Sequence, residues 1–235
     1  MRYDHKSGIS FRKMEERDLP ILLELKRESW WGTHNSPILN MKDQKDWYDN
    51  LPSTDLYMIA YKNETPKSNK PLKGGVNHIK ETVLGVGTFT NIDPIARTMY
   101  IGGSALKEHR DHGRNGWACG TDFAFEILNA HRLNAEVVET QFAVLKIDLD
   151  HLGFTYEGRR RKSVYKSGQY YDSIHLGLLR EEWLARQEMK VVGWNEGGGT
   201  SSERFYSPCN TNFDVDTAMR CKRMSAKLCP PLAEN

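Results

Sequence analysis

The hydrophobic positions of this chain change period several times, and each change marks an element. Ile9–Met14 (ISFRKM) alternates apolar and polar residues, as a half-buried strand does. Asp18 stands where a helix cap belongs, with Pro20 in the first turn behind it. Leu19, Ile21, Leu22, Leu23 and Leu25 then form a dense apolar face, which predicts an amphipathic helix ending near Trp30, stopped by Gly32 and the polar run THNSP. Asn40–Leu51 predicts a second helix through Met41, Trp47 and Leu51. Asp55–Lys62, Thr82–Asn91 and Arg97–Lys107 read as strands. A Pro-, Gly-, Asn- and Lys-rich stretch over 64–80 predicts a long exposed hairpin loop between the first two. Gly85, Gly87, Gly102 and Gly103 interrupt the later strands, a pattern that marks bulges or the close approach of a ligand.

Further on, the pattern predicts a helix over Trp117–His131, a strand over Asn134–Glu139 and a short helix over Phe142–Asp150 closed by Gly153. Phe154–Lys162 with Ser163–Leu179 reads as a β-hairpin whose turn, KSGQ, contains Gly168. Arg180–Met189 predicts a closing helix. From Val191 on, Gly and Ser runs replace periodicity. Residues 190–235 are therefore expected to be a partly ordered extension, with one helical stretch over Val215–Leu228, packing on the domain or on a second copy of the chain. The domain itself is expected to span 8–189.

Composition narrows the function classes. The 235 residues can bury a full core without staples. A net charge of +2, from 33 basic and 31 acidic residues, gives no electrostatic case for nucleic acid as the partner. No apolar run approaches the ~20 residues of a membrane helix, and the first residues lack the apolar centre of a signal peptide, so a cytoplasmic protein is expected. Cys119, Cys209, Cys221 and Cys229 form no C-x-x-C pair or zinc spacing, which favours reduced thiols and no metal.

The most specific chemistry lies in EHRDHGRNGWA, residues 108–118. Gly113 and Gly116 leave the backbone bare where a helix is expected to begin, so its N–H groups and positive dipole end can close on an anion such as a diphosphate. Many glycine loops are only turns, so the neighbourhood decides.

That neighbourhood resembles the GCN5-related N-acetyltransferases (GNAT), and within them the branch of ribosomal-protein N-terminal, spermidine and amino-sugar acetyltransferases. The resemblance rests on FRKMEERDLPILLELKRE, VLGVGTFTNID, EHRDHGRNG, DFAFEILNAHRL and LGFTYEGRRRKSVYKSGQYYDSIHLGLLREEW. The last is the most specific, through Gly153, Phe154, Glu157, Gly158, Arg161, Gly168, Tyr170, Asp172, Glu182 and Trp183. It implies an α/β (α+β) fold: a mixed, mostly antiparallel sheet, splayed between its fourth and fifth strands and flanked by helices. It also implies acetyl-CoA as cofactor, held by Leu106, Arg110, Gly113, Arg114, Asn115, Gly116, Trp117 and Ala118, with Gln141 as a further contact. Asn115 departs from the family's glycine or alanine at the sixth loop position. Phe142 and Leu149 stand where the branch has an asparagine for the cofactor arm and a tyrosine to protonate the leaving thiolate.

Acetyl transfer to an amine needs a base for the amine and a proton for the thiolate. Glu108 is the first candidate base, equally readable as a loop carboxylate paired with Arg110 or His109. His112 is the second, against its reading as a solvated loop histidine, and Tyr170 is a candidate on the last hairpin. Trp30, Trp31, His34, Tyr171 and Asp172 are candidates for the acceptor wall, while Trp30 and Trp31 equally read as packing residues and Asp172 as a tie within the hairpin. The basic run Arg159–Lys162 reads as a solvated face or as a phosphate contact. The leading expectation is acetylation of a small primary amine, with a nucleotide-linked amino sugar favoured. A protein N-terminus or a polyamine is the alternative, and a catalytically weakened or nucleic-acid-associated relative is the reading from another class. A homodimer fits the same resemblance.

Overall fold

The computed structural model describes residues 1–29, 40–64 and 80–193. The chain forms two compact units, Met1–Glu136 and a second that begins at Val137.

The first unit is built on a sheet. β1 (Arg2–Asp4) and β2 (Ser10–Lys13) form a short hairpin. α1 (Leu19–Ser29) and α2 (Met41–Asp49) follow, then the long strands β3 (Leu56–Glu64), β4 (Lys80–Asp93) and β5 (Thr98–Ala105). A 3-10 turn, Lys107–His112, leads into α3 (Gly113–Glu126), and β6 (Arg132–Val138) ends the unit. The strands stand in chain order, antiparallel from β1 to β5, and β6 lies parallel to β5. Helices cover both faces. On one, Leu22 of α1 meets Met14 and Ile59, with Trp47, Tyr48 and Leu51 packed around them. On the other, Phe123 of α3 sets its ring against Tyr3, Phe11 and Phe89, at centroid distances of 5.3, 6.1 and 5.3 Å.

Two polar clusters fix the edges. The buried Arg12 guanidinium donates to both oxygens of Asp18, at 2.7 and 2.8 Å, and to Glu81 at 3.0 Å. Burial alone would raise the Asp18 pKa, but Arg12 and the Glu15 amide (2.8 Å) outweigh it and hold the carboxyl below its ordinary value. At the other end His5 Nε2 meets Asp122 of α3 at 2.9 Å, while Nδ1 accepts from Ser7. Cys119 is buried nearby, and burial with the carboxylates of Asp122, Asp4 and Glu126 pushes its thiol up to about 12, which makes it inert. Among the described residues, no helix is long and apolar enough to cross a membrane.

The second unit holds α4 (Glu139–Leu152), the hairpin β7 (Thr155–Lys166) and β8 (Gln169–Leu179), and α5 (Arg180–Gly193). Ser167 (φ 48) and Gly168 (φ 82) make a two-residue turn with both residues left-handed, the geometry that suits the twist of a hairpin. Val138, Val164 and Tyr171 form a small core cluster.

Several expectations are corrected. α3 begins at Gly113 rather than Trp117, so the glycine loop is the helix's own first turn. It ends at Glu126 rather than His131, because Asn129 turns left-handed (φ 54) and Ala130 N–H bonds back to Ala124. α4 starts at Glu139, three residues before the expected Phe142. β7 runs to Lys166 and includes the basic run, and α5 continues to Gly193, past the expected boundary at 189. Asp18 does not cap α1; it closes a preceding turn and pairs with Arg12. The strand β1 was not legible in the polar residues RYD. The expected loop over 64–80, apart from its two ends, and residues 194–235 lie outside the described residues.

The strand glycines have an internal cause. A Cβ on Gly85 would stand 2.2 Å from the Ser104 carbonyl oxygen, and one on Gly103 2.8 Å from that of Val86. The β4 and β5 backbones thus close on each other where a ligand's approach was one reading.

Two outcomes are expected. Asp18→Ala leaves a charged Arg12 buried beside Glu81 alone and costs about 3–5 kcal/mol in urea unfolding at pH 7. Because the Asp18 pKa is lowered on folding, its contribution is complete above the unfolded carboxylate pKa and is lost as pH falls through the folded value; Asp18→Asn flattens that acid limb. Gly85→Ala forces β4 from β5 and lowers stability by about 1–3 kcal/mol or more on the same measurement.

Candidate functional site

β5 pairs with β6 over three positions only: Thr98↔Arg132, Met99↔Leu133 and Tyr100↔Asn134. On its other side β5 stays paired with β4 as far as Gly85↔Ala105. From Ile101 to Ala105, then, the strand keeps one partner and, among the described pairs of β5 and β6, loses the other. This is the splay expected between the fold's fourth and fifth strands, which are β5 and β6 here because β1 precedes them.

The released strand leads straight into the glycine-bearing segment. Leu106 is buried and donates its N–H to the Leu84 carbonyl at 2.9 Å, which anchors the exit. Lys107 N–H donates to the Glu28 carboxylate of α1 at 3.0 Å. The 3-10 turn then exposes Glu108, Arg110 and Asp111, while His109 and His112 stack at 6.1 Å. His112 Nε2 lies 3.1 Å from the Lys62 Nζ of β3. An ammonium has no acceptor, so in this contact Nε2 accepts from Nζ.

α3 opens with Gly113, Arg114, Asn115 and Gly116 as its first turn, and Trp117 and Ala118 begin the second. A helix's first-turn N–H groups point out along its axis and carry its positive dipole end. At Gly113 and Gly116 a Cβ would meet nothing within 4 Å, so no internal contact requires glycine at either place. Leu106, Glu108, Arg110, His112 and the 113–118 run therefore share one corner of the first unit. Glu28 and Lys62 join it; sequence reading missed both, since a carboxylate on a helix's polar face and a lysine at a strand's end carry no motif.

The remaining candidates lie elsewhere. Gln141 sits half-buried on α4 of the second unit, beside Phe142. Phe142 and Leu149 are buried, Leu149 completely, so these two positions present no polar group. Tyr170 and Tyr171 face opposite sides of β8. Tyr170 is 62% exposed, with its ring 5.0 Å from Tyr165, whereas Tyr171 is buried and donates its hydroxyl to Gln169. Asp172 accepts from Lys162 N–H at 2.7 Å and Arg159 at 2.9 Å, and its own N–H donates to Glu139. These bonds stitch across a register shift between Arg160 and Val164, which puts Arg161 and Lys162 of the basic run in a bulge. Trp30, Trp31 and His34 lie outside the described residues.

No family model matches the chain. The Bacillus subtilis protein named putative ribosomal N-acetyltransferase YdaF is 28% identical over 106 residues, which cover 43% of this chain and 56% of that protein. Among solved structures, the Vibrio cholerae spermidine N-acetyltransferase in complex with CoA and spermine superimposes with a TM-score of 0.64 at 17% identity, over 76% of this chain and 99% of that one. Mutant forms of the spermidine/spermine N-acetyltransferase SpeG from the same organism give 0.63 at 18%, over 77% and 99%. With its sheet parted after Tyr100 and a 3-10 turn and helix following the released strand, the chain carries the fold of the GCN5-related N-acetyltransferases.

Proposed function

We propose that this protein is an acetyl-CoA-dependent N-acetyltransferase acting on a primary amine. The observation that carries the reading is the released β5 edge, Ile101–Ala105, feeding through the 3-10 turn Lys107–His112 into a helix whose first turn contains two glycines under open space. A strand edge offers N–H and C=O groups to an amide-bearing arm, and a bare helix N-terminus with basic neighbours suits a diphosphate. A pantetheine diphosphate has both parts, so the residues present fit it. Bound acetyl-CoA supplies the acetyl group as an activated thioester.

The first-turn amides that follow Gly113, whose own N–H donates to the Arg110 carbonyl, hold the diphosphate end with Arg110, Arg114 and Lys62. Trp117 and Ala118 begin the next turn, and Leu106 fixes where the strand edge ends. Glu108 takes the proton of the incoming ammonium at its carboxylate. Its exposed position suits a relay through water. His112 is the weaker base, because its unprotonated nitrogen already accepts from Lys62. Gln141 and Tyr170 remain candidates for the cofactor arm and for proton delivery.

A polyamine is the first acceptor to test, since the solved structures of this fold named above are spermidine N-acetyltransferases. A protein N-terminus is the second acceptor to test, a reading supported by the Bacillus subtilis relative's name, putative ribosomal N-acetyltransferase. The amino-sugar acceptor favoured by the sequence finds no support among these relatives.

Two measurements test the reading. Acetyl-CoA and CoA at about 100 times Kd stabilise the folded chain by ~2.7 kcal/mol in thermal melting, and ATP does not. Gly116→Asp abolishes this shift while the unliganded melting point holds, because the new side chain meets no neighbour but opposes a phosphate. An unshifted wild-type protein at saturating acetyl-CoA overturns the assignment. In a thiol-release assay with spermidine, Glu108→Gln lowers kcat/KM by roughly 10²–10⁴ and keeps the melting shift; equal activity in the variant removes Glu108 as base.

A further inference from the structure

A line of three polar side chains runs from the turn between β1 and β2 into α3. Ser7 Oγ lies 2.7 Å from His5 Nδ1, and His5 Nε2 lies 2.9 Å from Asp122. The turn does not need these bonds to close. Gly8 N–H donates to the His5 carbonyl at 3.0 Å, and His5 N–H to that of Ile9 at 3.1 Å. The His5 and Asp122 side chains are nonetheless nearly enclosed, 4% and 7% exposed, while Ser7 is half-buried between the exposed Lys6 and Gly8. The Ser7 backbone N–H also points at His5 Nδ1, at 3.2 Å. An amide N–H only donates, so in this contact Nδ1 accepts, and in the shorter one the Ser7 hydroxyl donates to the same nitrogen. The other ring nitrogen, Nε2, then donates to the Asp122 carboxylate. Around this line stand Lys6, whose Nζ is 3.3 Å from the same carboxylate oxygen, and Tyr3, stacked on the ring at 6.1 Å with its hydroxyl on Glu126. Asp4, engaged by Ser10, and the inert Cys119 complete the surroundings.

We propose that Ser7, His5 and Asp122 form a second reactive centre of this protein, in which Ser7 is a nucleophile toward activated esters. Ser7 Oγ attacks the ester carbonyl, and its proton passes to His5 Nδ1 as the O–C bond forms. The bond from the carbonyl carbon to the leaving oxygen breaks, and the imidazolium gives its proton to that oxygen. Ser7 is left carrying the acyl group as an ester, and His5 is neutral again. Asp122 is a positioning residue. It touches no reacting atom, but it holds the ring with Nδ1 toward Ser7 and stabilises the imidazolium formed midway. Asp122 lies nine residues beyond Gly113 on α3, about 14 Å at a helix's rise per residue, so the centre is separate from the glycine-bearing turn.

The full chain is mixed with p-nitrophenyl acetate and quenched in acid after short intervals, and acetylation of each serine is followed by peptide mass spectrometry. Ser7 is acetylated on the order of a hundred times faster than exposed Ser53 and Ser167, the low end of what a positioned base contributes. Urea unfolding erases the difference. His5→Gln, with its folding checked by thermal melting, brings Ser7 down to the rate of the other two serines. Asp122→Asn lowers the Ser7 rate by a factor of about ten or more. Because the imidazolium then lacks its carboxylate, the acid limb of the Ser7 rate also moves to lower pH, which loss of a mere tie between the turn and α3 would not cause. Where His5→Gln does not fold, Asp122→Asn and its pH profile decide. A wild-type Ser7 that reacts no faster than Ser53 and Ser167, a folded His5→Gln that keeps the advantage, or an unmoved acid limb in Asp122→Asn overturns the proposal. Ser7→Ala leaves the melting shift with acetyl-CoA intact, so this centre and the acetyl-CoA reading fail separately.

Discussion

The parting of β5 from β6 is the constraint on which the candidate site depends. Backbone N–H and C=O groups need partners, and a strand that loses its ladder must give its groups to solvent, side chains or a ligand. Tyr100↔Asn134 is the last pair, so the next five residues of β5 are released on that side. The release is useful only because the strand does not fray. β4 holds it from the other side through Ile101↔Phe89, Gly102↔Thr88, Gly103↔Gly87 and Ala105↔Gly85. At Gly85 and Gly103 the two backbones come too close for a side chain. The glycines therefore keep rigid an edge that has lost half its bonding.

The same logic applies at the corner beyond the strand. Leu106 is buried and bonded to Leu84, Lys107 is held by Glu28, and His112 is bonded to Lys62. Three separate elements, β4, α1 and β3, thus fix the segment that aims α3. A helix N-terminus binds an anion well only if the amides are already in place, since ordering them on binding would consume affinity. The buried Arg12–Asp18–Glu81 cluster acts one step further back, joining the entry to α1 to the β4 edge. Its charges are costly to bury, and its value lies in the single arrangement that satisfies all three groups.

Much of this architecture was legible in the sequence, and the failures have physical reasons. Element types followed from apolar period, because long amphipathic stretches such as LPILLELKRES leave few alternatives. Ends were less legible. α3 was placed four residues late because glycine disfavours a helix interior, yet in a first turn its missing Cβ costs little and leaves the amides uncovered. The early end of that helix depends on Asn129, whose left-handed backbone is one of several states asparagine tolerates. Asp18 carried a cap's identity, but a buried arginine six residues earlier on β2 decided its partner. Glu28 and Lys62 were invisible, since their relevance is created by what folds against them. The glycine segment has a composition that suits an anion, while the paired-strand glycines were open to two readings that only interstrand distance separates.

Phe142 and Leu149 narrow the chemistry that any catalyst built on this chain can use. Both are buried in α4, and Leu149 is fully enclosed, so substitution has placed packing where the resembling branch has an amide and a phenol. Protonation of a departing thiolate is the less demanding half of amide formation. A thiol has an ordinary pKa near 8.5, so at neutral pH the thiolate is a competent leaving group and can take its proton from water. The incoming amine is different. A polyamine or an N-terminus arrives largely protonated, and only the neutral form attacks. The base, or an environment that favours the neutral amine, is therefore the indispensable part. Glu108 stands beside the released edge and the glycine-bearing turn, whereas the lost phenol belongs to the step that water can complete. On the proposed reading, the apolar α4 positions lower the rate of one proton transfer without removing the reaction, and the catalytic burden falls on positioning by β5 and on deprotonation at Glu108.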